Sequence, residues 1–411
     1  MDAFPRGTGV LLVALAMMML SMSCSPRQSS QSNIDAPQVR VRLLNAVDAA
    51  ALQIQAPAVL LDESRDTSRK LNLDRGRTVT IRLADDVWQV DGVPAGRGVL
   101  VLEPSEAGSV ALNGALYRGS YRFVPVAANR FDVVNDVDVE SYLKGVLAKE
   151  LFPDWHAQAY NAQAVIARTY ALYEVRSNPS GKHWDLNPDE RSQVYGGMKA
   201  ETDRAREAVD QTRGVVVTHG QQGHERIFKA FFSSCCGGVT ASVGDVFGGE
   251  TIPPLEARYN GTTCARSTRY NWGPIIINKV ELTRRAKVWG QKQNHPIKAI
   301  PALATIEIAT LNSYGRPRRF VVTDTAGQQY SLTGEQMRWA INADSNSGPT
   351  VYSSFFRPVD AGTSMQFVEG HGFGHGAGAC QWCMQSRALN GESYNGIVLS
   401  QFPQSTLLRA Y

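Results

Sequence analysis

Residues 136–176 read DVDVESYLKGVLAKELFPDWHAQAYNAQAVIARTYALYEVR. Val139, Tyr142, Leu143, Val146 and Leu147 fall at i, i+3, i+4, i+7 and i+8, the stripe of an amphipathic helix. Asp136 or Asp138 can cap its start. The next position on the apolar face is Glu150, at the carboxyl end where the backbone dipole is negative. Desolvation and that dipole both disfavour the carboxylate, so its pKa is expected to rise. A carboxylic acid kept protonated near neutral pH is what a glycosidic general acid must be.

Pro153 marks a break and suits the first turn of a second helix, expected over about residues 154–176. That helix is apolar almost all round, which places it in the core. Arg168 lies inside it and needs an anionic or strongly polar partner, for which Glu150 or a bound ligand is a candidate. The plainer reading of Glu150 and Arg168 is an ion pair at a helix junction, since such pairs also perturb pKa values.

The first residues read MDAFPRGTGVLLVALAMMMLSMSC. The apolar run from Val10 to Leu20 is shorter than the roughly 20 residues that span a bilayer. Residues 1–24 therefore read as a secretory signal, with lipid attachment at Cys24 an alternative to simple cleavage. The polar stretch 25–37 reads as a flexible tether, and 38–411 as the folded domain. A formal net charge of +4 over 411 residues, without blocks of like charge, does not suggest nucleic acid. Residues 39–126 alternate in strand fashion, and residues 301–345 read as a small β unit followed by a helix in which Thr333 and Glu335 can cap. The expected class is α+β: a mixed, β-rich scaffold, a buried helical pair carrying Glu150, and a smaller β-containing subdomain.

GVLAKELFPDW followed by AQAYNAQAVIARTYAL resembles the signature of the SpoIID/LytB family, the stage II sporulation protein D or amidase-enhancer group. FVEGHGFGHGAGACQWCMQ, near the C-terminus, resembles the same family's glycine–histidine motif. The resemblance runs from about Val39 to Leu408. It implies a peptidoglycan-processing protein whose catalytic residues are Glu150 and the family arginine Arg168, which would hold Glu150 or a substrate carboxylate. The implied reaction is lytic transglycosylation of stem-free glycan, leaving 1,6-anhydro-muramic ends, without a cofactor. The alternative is a glycan-binding enhancer of an N-acetylmuramoyl-L-alanine amidase. Either implies an exported protein of the periplasm or cell envelope, with glycan strands as ligand and an amidase as a candidate partner.

By the same resemblance, Gln193 and Tyr195 of SQVYGG, Thr240 after a Gly turn, and His375 are candidate substrate contacts. His375 is open to three roles: orienting Glu150, donating to substrate, or filling a polar core. Gly374 and Gly376 belong to a run of alternate glycines whose bare face lets a glycan or a helix lie on the backbone. Several relatives bind zinc through a histidine and two cysteines in the segment around His183. Here the cysteine positions are Asn187 and Ser192, so no metal is expected there. Beyond Cys24 five cysteines remain: Cys235, Cys236, Cys264, Cys380 and Cys383. Two disulfides, with Cys235 or Cys236 joined to Cys264, are the first expectation. A zinc shared by Cys235/Cys236 and Cys380/Cys383 is the second.

Overall fold

The computed structural model describes residues 35–63, 70–178, 181–346 and 348–411. The signal segment, Cys24 and the tether up to residue 34 lie outside the described residues. Among the described residues no helix is long and apolar enough to cross a membrane.

The amino-terminal strands are β1 (Gln38–Val47), β2 (Ala49–Ile54), β3 (Ala58–Asp62), β4 (Lys70–Leu73), β5 (Thr78–Ala84), β6 (Val87–Val90), β7 (Val93–Gly96), β8 (Leu100–Pro104), β9 (Val110–Leu112), β10 (Ala115–Leu116), β11 (Ser120–Ala127) and β12 (Arg130–Asp138). They form two six-stranded sheets, ordered β1-β12-β11-β8-β3-β4 and β10-β9-β2-β5-β6-β7. The alternation in β5, where Val79, Ile81 and Leu83 are buried, is the period of a strand with one face in a core. Trp88 fills that core edge-on to Phe131, with ring centroids 5.0 Å apart. Its indole N–H donates to the Gly98 carbonyl at 2.6 Å, so no polar atom is stranded.

Strand β12 runs directly into the helical core. Asp138 caps α1 (Val139–Glu150), accepting from the Ser141 N–H at 3.0 Å. Helix α2 (Ala157–Ser177) is buried from Ala159 to Leu172 and forms the centre of the second core. It begins three residues later than the sequence suggested. Pro153 stays in the intervening turn, and His156 serves as the cap, its Nδ1 accepting from the Gln158 N–H at 3.2 Å. Helix α3 (Asp203–Gln211) and the strand Val215–His219 pack against α2.

Beyond the short α4 (Val243–Phe247), a third core gathers around α5 (Lys279–Lys292), α6 (Gly334–Asn342) and the sheet of Leu303–Leu311, Pro317–Asp324 and Gln329–Thr333. Helix α6 has a capping box between Thr333 and Gln336, in place of the expected Glu335. Helices α7 (Gln381–Leu389) and α8 (Tyr394–Gln401) return to the α2 core. Helix and strand are thus mixed in an α+β arrangement.

Candidate active site

The end of α1 opens into a cleft of about 760 Å³. Glu150 lies in its wall. Its Oε1 accepts a hydrogen bond from the Val194 N–H at 2.9 Å, which favours the charged form. Burial acts in the opposite direction and is the larger influence, so the pKa is raised above the ordinary value of 4.5. Glu190, also in the cleft wall, adds to the rise. Gln381, the first residue of α7, lies beside the Glu150 carboxyl close enough to favour its charged form. Yet the amide nitrogen of Gln381 makes no well-formed hydrogen bond, and neither does the Ser233 hydroxyl in the same cleft. Buried polar groups without partners are rare in folded proteins. Here two of them line the space that Glu150 faces.

Aromatic rings make up much of the remaining wall: Tyr170 from α2, Phe231 and Phe232, Phe247 from α4, Phe373, and Trp339 from α6. Lys229 is engaged with Glu174 at 2.7 Å, and Arg338 with Glu335. Helix α6 supplies Glu335, Arg338 and Trp339 to the cleft. Spacing alone could have indicated this, because residues 335, 338 and 339 share one helical face.

The sequence-based candidates separate into two groups. Glu150, His375 and Gly374 line the cleft. The His375 ring sits beside Phe231 and Phe247, and its Nδ1 accepts from the Ala377 N–H at 3.0 Å. Burial lowers its pKa to about 4, so it is neutral at physiological pH. With Nδ1 accepting, the neutral ring carries its proton on Nε2, and that nitrogen can only donate.

Arg168, Gln193, Tyr195, Thr240 and Gly376 lie elsewhere. Arg168 is fully buried and does not reach Glu150. It makes a bidentate pair with Glu140, Nε to Oε1 at 3.0 Å and Nη2 to Oε2 at 2.7 Å. Glu140 also accepts from the Gly214 N–H at 3.0 Å and the Tyr411 hydroxyl at 2.6 Å. The expected ion pair exists, but at the opposite end of α1. Gln193 points into the core, where its Oε1 accepts from the Tyr142 hydroxyl at 3.2 Å. The Tyr195 ring lies over Gly145, and its hydroxyl donates to Asn135 Oδ1 at 3.1 Å. Thr240 is fully buried, its Oγ1 accepting from the Arg258 N–H at 2.7 Å. These four are core groups with protein partners.

The glycine run differs most from expectation. Its bare face is covered largely by protein. The Trp272 ring packs on Gly370, and the Arg316 guanidinium occupies the space a Cβ of Gly376 would need, 2.4 Å away. Arg316 is fully buried, donating to the carbonyls of Cys236 (3.0 Å), Val239 (2.9 Å) and His375 (3.2 Å). It thereby fixes the segment that carries Gly374 and His375 into the cleft. Arg316 lies in the small β unit of residues 301–345, and nothing in the local sequence singles it out.

Near His183, the ring Nε2 meets Asp132 at 2.9 Å, Arg42 donates to Asn187 at 3.0 Å, and Ser192 accepts from the Asn187 N–H at 3.1 Å. An amide and a hydroxyl in place of two thiolates do not fit zinc. The five cysteines are all buried and free, and the Cys236 and Cys264 sulfurs stand 3.6 Å apart, so the expected disulfide is not formed.

Residues 127–219, which include both Glu150 and Arg168, match the family described as Stage II sporulation protein, SpoIID. An uncharacterized protein of Brachyspira hyodysenteriae is 29% identical over 290 residues, covering 70% of this chain and 71% of the relative. The amidase enhancer of Bacillus subtilis is 24% identical over 375 residues, covering 81% of this chain but 50% of that longer protein. An uncharacterized protein of Chlamydia muridarum is 26% identical over 190 residues, 46% of this chain and 65% of its own. The segment from the end of β11 through the strand Val215–His219 is therefore a SpoIID domain.

Proposed function

We propose that the protein is a peptidoglycan lytic transglycosylase of the cell envelope and that Glu150 is its acid and base. The observation that carries this reading is a carboxyl with a raised pKa, facing an open, aromatic-lined cleft. Glu150 gives its proton to the oxygen bridging N-acetylmuramic acid and N-acetylglucosamine, and that bond breaks. The carboxylate left behind removes the proton of the muramic 6-hydroxyl, whose oxygen closes on C1. The products are a 1,6-anhydro end and a free 4-hydroxyl, with Glu150 reprotonated and no water consumed. Of the other cleft carboxylates, Glu335 on α6 is tied to Arg338 and Glu190 stands exposed in the wall. This chemistry needs no second free carboxylate, in contrast to the usual two-carboxylate scheme. Aromatic faces suit sugar C–H surfaces, and Gln381 Nε2 and Ser233 Oγ suit sugar hydroxyl or acetamido groups.

Glu150→Gln keeps shape but cannot release a proton. Release of 1,6-anhydro fragments from stem-free glycan should fall by about 10²–10⁴-fold or more, with glycan binding retained. Full activity in the folded variant would remove Glu150 as the acid. The amidase-enhancer relative suggests a second reading, in which the cleft only holds glycan and recruits an amidase. That reading predicts wall binding and amidase stimulation, both unchanged in Glu150→Gln, with no anhydro product from either protein.

A further inference from the structure

The cysteines converge from three separate segments. Cys236 sits in the turn before Gly237, Cys264 in the loop between Gly261 and Ser267, and Cys380 and Cys383 at the start of α7. The sulfurs of Cys236, Cys264, Cys380 and Cys383 all lie within 4.8 Å of one another, and all four residues are buried. Cys236 Sγ is 3.6 Å from Cys264 Sγ and 4.0 Å from Cys383 Sγ. Four thiolates bound tetrahedrally to one zinc at about 2.3 Å place their sulfurs roughly 3.8 Å apart. A disulfide needs about 2.05 Å and would draw two sulfurs out of this arrangement.

Hydrogen-bond donors reach two of the four sulfurs. Backbone N–H groups of Cys236 and Cys383 donate to Cys380 Sγ at 3.3 and 3.4 Å, and the Asn260 amide donates to Cys236 Sγ at 3.4 Å. Two guanidiniums stand close by, that of Arg316 fully buried and that of Arg258 half-buried with its Nε enclosed. Arg316 donates to the Cys236, Val239 and His375 carbonyls, and Arg258 to those of Pro254 and Gly378. Among the described residues neither meets a carboxylate, and Nε of each has no partner. A buried cation whose bonds go only to neutral carbonyls lacks a counter-charge. The cysteine sulfurs lie near both guanidiniums, and Glu335 is a further negative charge near Arg316. A zinc bound by four thiolates carries net −2, which balances the two arginines.

We propose that Cys236, Cys264, Cys380 and Cys383 bind one zinc ion as a closed, structural tetrathiolate. Binding is Zn²⁺ + 4 RSH → [Zn(SR)₄]²⁻ + 4 H⁺, with no redox change. No position is left for water, so the ion takes no part in the glycan chemistry. Its role is mechanical. It joins the turn that Arg316 holds, the Cys264 loop and the start of α7. Cys380 directly precedes Gln381, so the ion fixes the residue beside Glu150. Cys235 lies outside the quartet, and its presence accounts for the odd count.

The test is elemental analysis of the full-length chain purified in reductant without chelator. About one zinc per chain is expected, with Cys235→Ser keeping it and Cys264→Ser/Cys383→Ser losing at least about tenfold of it. Because the double variant can fail to fold, the wild-type chain is also stripped and reloaded with Co²⁺. One equivalent should then develop the thiolate charge-transfer and intense visible bands of tetrahedral cobalt–sulfur coordination. Wild-type protein that takes up neither metal overturns the proposal, as does a cobalt spectrum without thiolate bands. Iron in place of zinc overturns the identity of the ion. A disulfide among the four in native protein, found by non-reducing peptide mass analysis, overturns the site itself. None of these readouts involves glycan cleavage, so they stand or fall apart from the proposed activity.

Discussion

At Glu150 a hydrogen bond from Val194 favours the carboxylate while burial favours the acid, and burial wins. That balance has a consequence for stability. The folded-state pKa is raised, so the folded chain holds a proton that the unfolded chain releases. Stability therefore falls as pH rises from the ordinary value of 4.5 through the raised one, and the deficit persists above it. Glu150→Gln is neutral throughout and escapes this loss. Thermal melts should show the variant gaining on the wild type as pH rises through that window, with the two converging below it. A difference that is constant across pH would mean that Glu150 is not desolvated. A second prediction concerns Glu190, exposed in the cleft wall, whose charge raises the Glu150 pKa. Glu190→Gln should move the alkaline limb of the kcat/KM–pH profile to lower pH, and added salt should shrink the difference between the two proteins. An unmoved limb would show that another group controls it.

Helix α1 illustrates how far periodicity reaches. The stripe from Val139 to Leu147 is buried as the sequence predicts, and its phase correctly leads to Glu150. Glu140 lies off that stripe and nonetheless is only 3% exposed, because the loop after α3 and Tyr411 cover a second face of the helix. Local spacing carries no information on a face covered by residues 70 to 270 positions away. For that reason the partner of Arg168 was not legible, although the need for one was. Removing one member of such a pair leaves the other charge buried, which typically costs about 3–5 kcal/mol. Arg168→Met should therefore lower the urea midpoint strongly or prevent folding, while Arg168→Met/Glu140→Leu should recover much of the loss. Failure of the double variant to recover would place the role of Arg168 outside this pair. The glycine run was misread for a related reason. Alternate glycines do signal close approach, but the sequence cannot say what approaches. At Gly376 the φ of +77° and the Arg316 guanidinium both oppose a side chain, so Gly376→Ala should destabilise the protein and lower glycan affinity only as folded protein is lost.

The molecule as a whole divides the cleft between two cores. Glu150, Tyr170 and Phe231 belong to segments packed around α2, whereas Trp339 projects from α6, part of the core around α5 and the sheet of Leu303–Leu311. Two cores meet near α4, where Arg318 pairs with Asp245 at 2.6 Å, and Asn312 donates to the Thr240 carbonyl at 3.3 Å. A wall built from a second core can serve binding without carrying the reaction. Trp339 is 42% exposed, so its ring face is available to a sugar and is not needed to fill the interior. Covering roughly 50 Å² of that face at about 25 cal/mol per Å² amounts to ~1 kcal/mol, a several-fold change in affinity. Trp339→Ala should thus raise KM for glycan strands several-fold, leave kcat nearly unchanged, and alter the melting temperature little, since a half-exposed side chain contributes little packing. Glu150→Gln should show the opposite split, with kcat lost and binding kept. If Trp339→Ala instead lowers kcat as strongly as Glu150→Gln, the ring acts on the reacting bond, and the division between a chemical wall and a binding wall is wrong.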